Sequence, residues 1–344
     1  MKNILIPTDF SVNAWKATVY AFSLFQNDLC NFYFLNACKP EFYTPDVNGH
    51  SLSQAKAENK ILMEKLLKEV SIINKNPNHR FKSLIVGSWL NDAIIEIQKD
   101  IIFDLIVMGT QGENEPDDKI FGTNSMNVIE TVDHMPVLLI PDQSVHVPEV
   151  KKEMVLATRF DKSFSIAEIN FLIDMTKKFK ASIRILYIQD TEDLSEEQEN
   201  KKEELHEHFE KISHSFHTLT NIEVTKGIHS FIQSRNSDIL VLNHKKRGFF
   251  RNLFSKSLLK ELGKLLFLIK LLKMDISNLQ VIKASGEKAK FSIDRVAESL
   301  RRSGANDDLI NSTLEKLKSE LYDGITTKEI YNRAFSLLKE GNKT

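Results

Sequence analysis

The sequence predicts an α/β protein in which one parallel-sheet domain occurs twice and a small α+β unit follows. Three observations carry that expectation. Short apolar runs alternate with amphipathic helical patterns from Ile4 to Leu242, as β-α-β units with a doubly covered sheet require. The run FDLIVMGT (103–110) returns as SDILVLNH (237–244), and NILIPTDFS (3–11) returns as MVLATRFDK (154–162). A repeat of about 145–150 residues is too long for a solenoid and describes a duplicated domain. Beyond Asp275 the alternation stops, and a hairpin with three helical patterns takes over.

The first domain, residues 1–142, opens with Ile4–Ile6, which runs into Pro7-Thr8-Asp9. A helix is predicted over Ser11–Phe25, a strand over Phe32–Leu35 and a helix over Ser53–Val70, where Ile61, Leu62, Leu66 and Val70 recur at helical spacing. Lys82–Val86 reads as strand, Asn91–Lys99 as helix and Asp104–Met108 as a strongly apolar strand. Thr123–Val132 is a short helix and Pro136–Pro141 a last buried strand. Asp142–Glu153 is polar and reads as a linker. The second domain, 151–272, repeats the scheme. Strands are expected over Glu153–Ala157, Ile183–Ile188, Asn221–Thr225 and Asp238–Leu242. Helices are expected over Ser165–Phe179, Ser195–Phe216 and Gly227–Arg235, with a closing apolar run Leu265–Lys270. The third unit, 276–340, begins with β-type runs Leu279–Lys283 and Lys288–Phe291 around Ser285-Gly286, a hairpin signal. Helices follow over Ser292–Ser303, Asp307–Leu321 and Thr326–Lys339, with Ser292 placed to cap the first and Gly304 to stop it.

Composition removes several classes of function. Hydrophobic residues make up 42% and charged residues 27%, as in a soluble globular chain. Lys+Arg (46) against Asp+Glu (47) leave a net charge of −1, which disfavours nucleic acid as a partner. Cys30 and Cys38 lie outside any C-x-x-C spacing and cannot staple a chain of 344 residues, so a reduced, cytoplasmic setting is expected. The longest apolar stretch, Leu265–Leu272, contains Lys270 and falls far short of the ~20 residues that span a bilayer. The N-terminus is too polar for a signal peptide, so no membrane is expected.

After the strand at Asp104–Met108 the chain reads Gly109-Thr110-Gln111-Gly112, nine residues (Glu113–Phe121), then Gly122-Thr123-Asn124 and a helix. The carboxyl edge of a parallel sheet is where such folds bind ligands. Glycine lets the backbone approach a phosphate closely, and a helix N-terminus offers unpaired amides and the positive end of its dipole. Asp9 ends the first strand on the same edge, where its carboxylate can accept from an adenine amine or a ribose hydroxyl. Four acids, Glu113, Glu115, Asp117 and Asp118, lie in the nine-residue loop and can repel phosphate or hold Mg²⁺.

On G-x-x-G, nine residues and G-[S/T], matched by Gly109, Gly112, Gly122 and Thr123, and on PTDFS (7–11), the segment 1–142 resembles the universal stress protein family. Residues 151 to about 265 resemble a second, diverged copy. The resemblance implies Rossmann-like domains and a crevice for ATP or AMP lined by Asp9, Ala37, Met108 and Gly109. Gly112, Gly122, Thr123 and Asn124 would complete it. It also implies dimerisation through the last strand, which tandem members can satisfy within one chain as a pseudo-dimer; a homo-oligomer is also compatible. In the second copy Asn243, Lys246 and Lys256-Ser257 replace the motif, and Arg159 stands for Asp9, so this copy is expected to be structural. Its loop carries Lys245, Lys246, Arg247, Arg251, Lys256, Lys260 and Lys264 around Phe249, Phe250 and Phe254. That is a solvated surface or a patch for an anionic partner. The predicted long helix carries His206, His208, His214 and His217, which read as a solvated face rather than a zinc site.

In the third unit, Val281-Ile282-Lys283-Ala284-Ser285-Gly286, Phe291-Ser292-Ile293-Asp294-Arg295 and Tyr322-Asp323-Gly324-Ile325-Thr326-Thr327-Lys328-Glu329-Ile330 resemble the ATP-cone domain. The resemblance implies ATP or dATP held between hairpin and helices. Val281 and Lys283 would form the hairpin wall, Arg295 would meet phosphate, and Thr327 and Tyr331 would line the base. No nucleophile–base pair, metal cluster or P-loop is read, so a stress-response regulator that binds adenine nucleotide is expected rather than an enzyme. The alternatives are a slow Mg-dependent ATPase using Asp117 or Asp118, and an interaction scaffold using the basic loop.

Overall fold

In the computed structural model the first part of the chain alternates strand and helix as β1 (Lys2–Pro7), α1 (Val12–Leu24), β2 (Cys30–Ala37), α2 (Leu52–Ile73), β3 (His79–Val86), α3 (Leu90–Ile97), β4 (Leu105–Gly109), α4 (Thr123–Thr131) and β5 (Val137–Ile140). The next part runs β6 (Glu153–Thr158), α5 (Ile166–Lys178), β7 (Ser182–Gln189), α6 (Glu196–Phe209), β8 (His214–Thr220), α7 (Val224–Arg235), β9 (Ile239–Leu242) and β10 (Phe267–Lys270). The structure describes residues 1–38, 52–110, 122–132, 135–141, 152–161, 163–189, 194–242, 267–271, 279–283, 285–321 and 325–341. Residues 142–151 of the predicted linker Asp142–Glu153 and the basic loop lie outside them, while Glu153 already belongs to β6.

All ten strands form one sheet in the order β3-β2-β1-β4-β5-β10-β9-β6-β7-β8. They belong to one compact unit made of Met1–Arg159, Thr176–Leu194 and Ile212–Leu272. Every neighbouring pair is parallel except β5 with β10, where Leu139 faces Leu268 and Leu138 faces Ile269. The strand order on one side of that pair therefore mirrors the order on the other. Central strands buried on both faces explain the unbroken apolar runs: Ile4, Leu5 and Ile6 are fully buried, as are Leu105 to Val107 and Leu138. On one face Leu5, Ile106 and Leu139 pack with Ile94 of α3 and Val128 of α4, and the same core continues through Leu186 and Leu240 to Ile228 and Ile232 of α7. On the other face Phe22 of α1 lies edge-on to Phe32 at 5.0 Å and 5.5 Å from Phe81.

Three sequence expectations are corrected here. The helix expected over Ser195–Phe216 ends at Phe209, and His214 to Thr220 form β8, an edge strand paired to β7. His214 and His217 therefore share no helix with His206 and His208. Asn221–Thr225 is not a strand: Asn221 takes a left-handed φ of 55°, and Glu223 caps α7, accepting from the amides of Thr225 and Lys226 at 3.0 Å each. The repeat register also shifts by one. Asp104 accepts from the Asn3 amide at 2.7 Å, and Asp238 accepts from the Glu153 amide at 2.8 Å, so Asn3 corresponds to Glu153 and not to Met154. The same offset pairs Phe10 with Phe160, which both adopt left-handed φ, 64° and 52°.

The second compact unit comprises Phe160–Met175, Ser195–Lys211 and Lys273–Thr344. Within it, β11 (Gln280–Ile282) and β12 (Lys288–Lys290) make the expected antiparallel hairpin. Gly286 supplies the turn with φ 83° and donates its amide to the Lys283 carbonyl at 2.9 Å. Helices α8 (Ile293–Arg302), α9 (Asp307–Glu320) and α10 (Thr327–Gly341) follow. Their apolar faces enclose Val281, Phe291, Leu300, Leu317 and Ile330. Ser292 stands at the N-cap of α8 but its side chain makes no capping bond, whereas Asn306 caps α9 through the Leu309 amide at 2.8 Å.

Candidate functional site

The strand order places a topological switch between β1 and β4, because the chain leaves β1 toward β2 and returns from β3 to the far side of β1. Two parallel strands with diverging connections open a crevice at their carboxyl ends. Three chain segments border it: the turn Thr8–Ser11 after β1, Gly109-Thr110 at the end of β4, and Gly122 at the start of α4.

Each turn is held by its own polar groups. Phe10 takes its left-handed conformation with its amide donating to Thr8 Oγ1 at 3.0 Å, and the Ser11 amide donates to Asp9 Oδ1 at 3.1 Å. Ser11 Oγ then caps α1 by accepting from the Ala14 amide. The Thr8 carbonyl accepts from Asn36 Nδ2 at 2.9 Å, which fixes the end of β1 to the end of β2. A side chain at Gly109 would bring its Cβ to 3.1 Å from the Asn13 carbonyl oxygen. Gly109 therefore eases the close approach of β4 to the first turn of α1. Sequence reading missed Asn36, Asn13 and Ser125; each is an ordinary polar residue whose role lies in a contact distant along the chain.

Gly122 is the N-cap of α4, with extended backbone and no side-chain cap. Its own amide is taken by the Thr110 carbonyl at 2.6 Å, which corrects the expectation that the Gly122 amide is offered to phosphate. Ser125 Oγ donates within the same knot, 2.7 Å from the Thr110 carbonyl and 2.9 Å from that of Gly122. The amides of Asn124 and Ser125 stand in the first turn of α4, at the positive end of its dipole, and can receive an anion.

The other expected residues divide. Asp9 is exposed at the crevice and Thr123 is exposed at the start of α4. Ala37 is the last residue of β2, half-buried opposite Val86. Met108 is buried among the α3 and α4 side chains and is a core residue. Gly112 and the acids 113–118 lie outside the described residues, as do the second-copy positions 243–257. In the second unit Val281 is core. Lys283 Nζ pairs with Glu287 at 3.0 Å instead of standing open, while Arg295 is exposed in the first turn of α8. The Ile282–Thr326 bridge brings the start of α10, with half-buried Thr327 and Tyr331, beside the end of β11. No group of His, Cys, Asp and Glu among the described residues could hold a metal ion, and no described helix is long and apolar enough to cross a membrane.

Residues 1–141 match the universal stress protein family. A universal stress protein from Archaeoglobus fulgidus DSM 4304 is 17% identical over 79% of this chain and 98% of its own, with a TM-score of 0.56; that likeness shows the fold. The universal stress protein UspA from Lactobacillus plantarum is 22% identical over 40% of this chain and 96% of its own, with a TM-score of 0.35. Comparison with curated proteins finds no match.

Proposed function

We propose that this chain is an adenine-nucleotide-binding regulator of the stress-response class. ATP or AMP would occupy the β1/β4 crevice of residues 1–142, and ATP or dATP would bind an ATP-cone at 276–340. Residues 151–272 would be a second, degenerate copy that completes a pseudo-dimer through β5 and β10. The observation that carries the reading is the convergence of the Asp9 turn, Gly109-Thr110 and the glycine-led start of α4 on one crevice. The residues present fit the ligand. The amides of Asn124 and Ser125, with Thr123, would hold phosphate, the Asp9 carboxylate would accept from ribose or the adenine amine, and Ala37 would flank the base. In the cone, Arg295 would meet phosphate, and Lys283 would exchange Glu287 for phosphate. Bound nucleotide supplies a polyanion, with Mg²⁺ as its companion ion; it can bias the chain only through unequal affinity for two states.

Titration calorimetry with ATP, dATP and AMP tests this. Two sites are expected, one removed by Gly122→Val and the other by Lys283→Ala, with thermal stabilisation rising with ligand. Absence of both heat and stabilisation for all three nucleotides defeats the reading.

A further inference from the structure

α2 packs on β3 through one face, where Met63, Leu66 and Val70 are buried. Large apolar side chains stand in water on the rest of the helix, Ile61 and Ile72 opposite that face and Leu62 and Ile73 along its flank. Ile61 and Ile72 are each 68% exposed, Ile73 51% and Leu62 44%. So many on one short strip exceed the single scattered hydrophobics of an ordinary surface. Between them lie Lys65 and Glu69, 74% and 49% exposed at their side chains and 3.9 Å apart. Leu62, Lys65, Glu69 and Ile72 follow the three-four spacing of a seam that one helix presents to another.

The order along the seam is its own complement. When a second copy runs antiparallel with the pair centred at the level of Leu67, Leu62 falls opposite Ile72 of the second copy and Lys65 opposite Glu69, while Ile61 and Ile73 line the two edges of the seam. Each match occurs twice, once in each direction, as an isologous twofold interface requires. Two apolar clusters then flank two central ion pairs. An unrelated partner would not require this palindrome.

We propose that two copies of this chain associate through this seam of α2, antiparallel, about a twofold axis at the level of Leu67. The contact is independent of nucleotide. It leaves β5 in its pairing with β10 and uses a helix that the sheet anchors from behind.

Sedimentation equilibrium over a concentration series tests it with the full chain. The unmodified protein is expected to show a reversible monomer–dimer equilibrium. Lys65→Glu makes both members of each central pair acidic, and Glu69→Lys makes both basic. Each variant alone is expected to lose roughly a hundredfold in dimer affinity. An equimolar mixture of the two is expected to dimerise again, because every acid then faces a base; this rescue also shows that both variants fold. A monomer at all concentrations for the unmodified protein, dimers of undiminished affinity for either variant alone, or a mixture that stays monomeric would each overturn the proposal.

Discussion

His79 opens β3 with its ring 5.0 Å from Phe32 and both ring nitrogens engaged. Asn74 Nδ2 donates to Nδ1 at 2.8 Å, and Nε2 donates to the Phe25 carbonyl at 3.1 Å. This arrangement suits the neutral ring, since a protonated Nδ1 would meet the Asn74 donor. Burial lowers the pKa below the usual 6.5, against the opposing pull of the Phe25 carbonyl and Asp28. A histidine whose pKa is lowered by folding binds fewer protons folded than unfolded. Its stabilising contribution is thus complete above about pH 6.5 and is lost as pH falls from there toward the folded value. Urea midpoints are expected to fall between about pH 7 and pH 5.5, and His79→Gln to flatten that slope by up to about 1.4 kcal/mol per pH unit. His217, shifted the same way by burial and then by Arg235 and Arg184, keeps part of the slope. An unchanged slope in His79→Gln refutes the assignment. At this scale the sequence was informative where chemistry is local. Pro7-Thr8-Asp9 and Gly122-Thr123 could be placed at strand and helix ends from their residue types. The Asn36–Thr8 bond and the capture of the Gly122 amide depend on contacts between segments, which spacing alone does not encode.

Glu153 ties three elements together at the amino edge of the sheet. It opens β6, accepts from Arg235 at the end of α7 at 2.6 and 2.8 Å, from Arg184 of β7 at 3.0 Å and from Ser237 before β9 at 3.0 Å. Burial works against its charge, but the hydrogen bonds from Arg235, Arg184 and Ser237 outweigh it and hold the carboxyl at about 2. A carboxyl lowered by folding stabilises fully above its unfolded pKa and loses that contribution as pH falls toward 2. Glu153→Gln keeps the shape but leaves two guanidinium groups without their carboxylate. The network is partly open to solvent, so a loss of about 1–2 kcal/mol in urea unfolding at neutral pH is expected, below the cost of a fully buried pair. A loss under a few tenths would mean that the clamp is ornamental. The misread β8 belongs to this scale. In His-Ser-Phe-His-Thr-Leu-Thr the two apolar residues, Phe216 and Leu219, stand three apart and break the alternation of a strand, and at the sheet edge nearly every residue is only half-buried. The apolar contrast of a strand is therefore weak, and residue pattern alone extends the charged helix before it. Central strands such as β4, fully apolar, were legible at once. So were the hairpin and three helices of the C-terminal unit, where glycine and cap residues punctuate amphipathic runs.

At the scale of the molecule, β5 decides how the sheet holds together. Its four residues, Val137 to Ile140, are all buried and pair with β4 on one side and β10 on the other. The recurring runs predict two similar halves, yet no residue pattern says that strands β5 and β10 meet antiparallel; that needs the pairing itself. A second tie lies away from β5: Lys178 Nζ bonds Asp28 and stands 4.9 Å from the Phe25 ring centre, with Lys2 also near Asp28 at 3.8 Å. The covalent link between the halves is then dispensable once the chain has folded. A protease site inserted between residues 142 and 151 and cut after folding is expected to leave one particle in native buffer, with a single cooperative urea transition now dependent on concentration. A chain ending at residue 142 should behave oppositely, since it bares the apolar edge of β5, which seeks another strand; its elution should shift to larger species as concentration rises. Separation of the cut halves in native buffer, or a well-behaved monomer of 1–142, would mean that the β5–β10 seam contributes little and that the halves are joined chiefly by the chain between them.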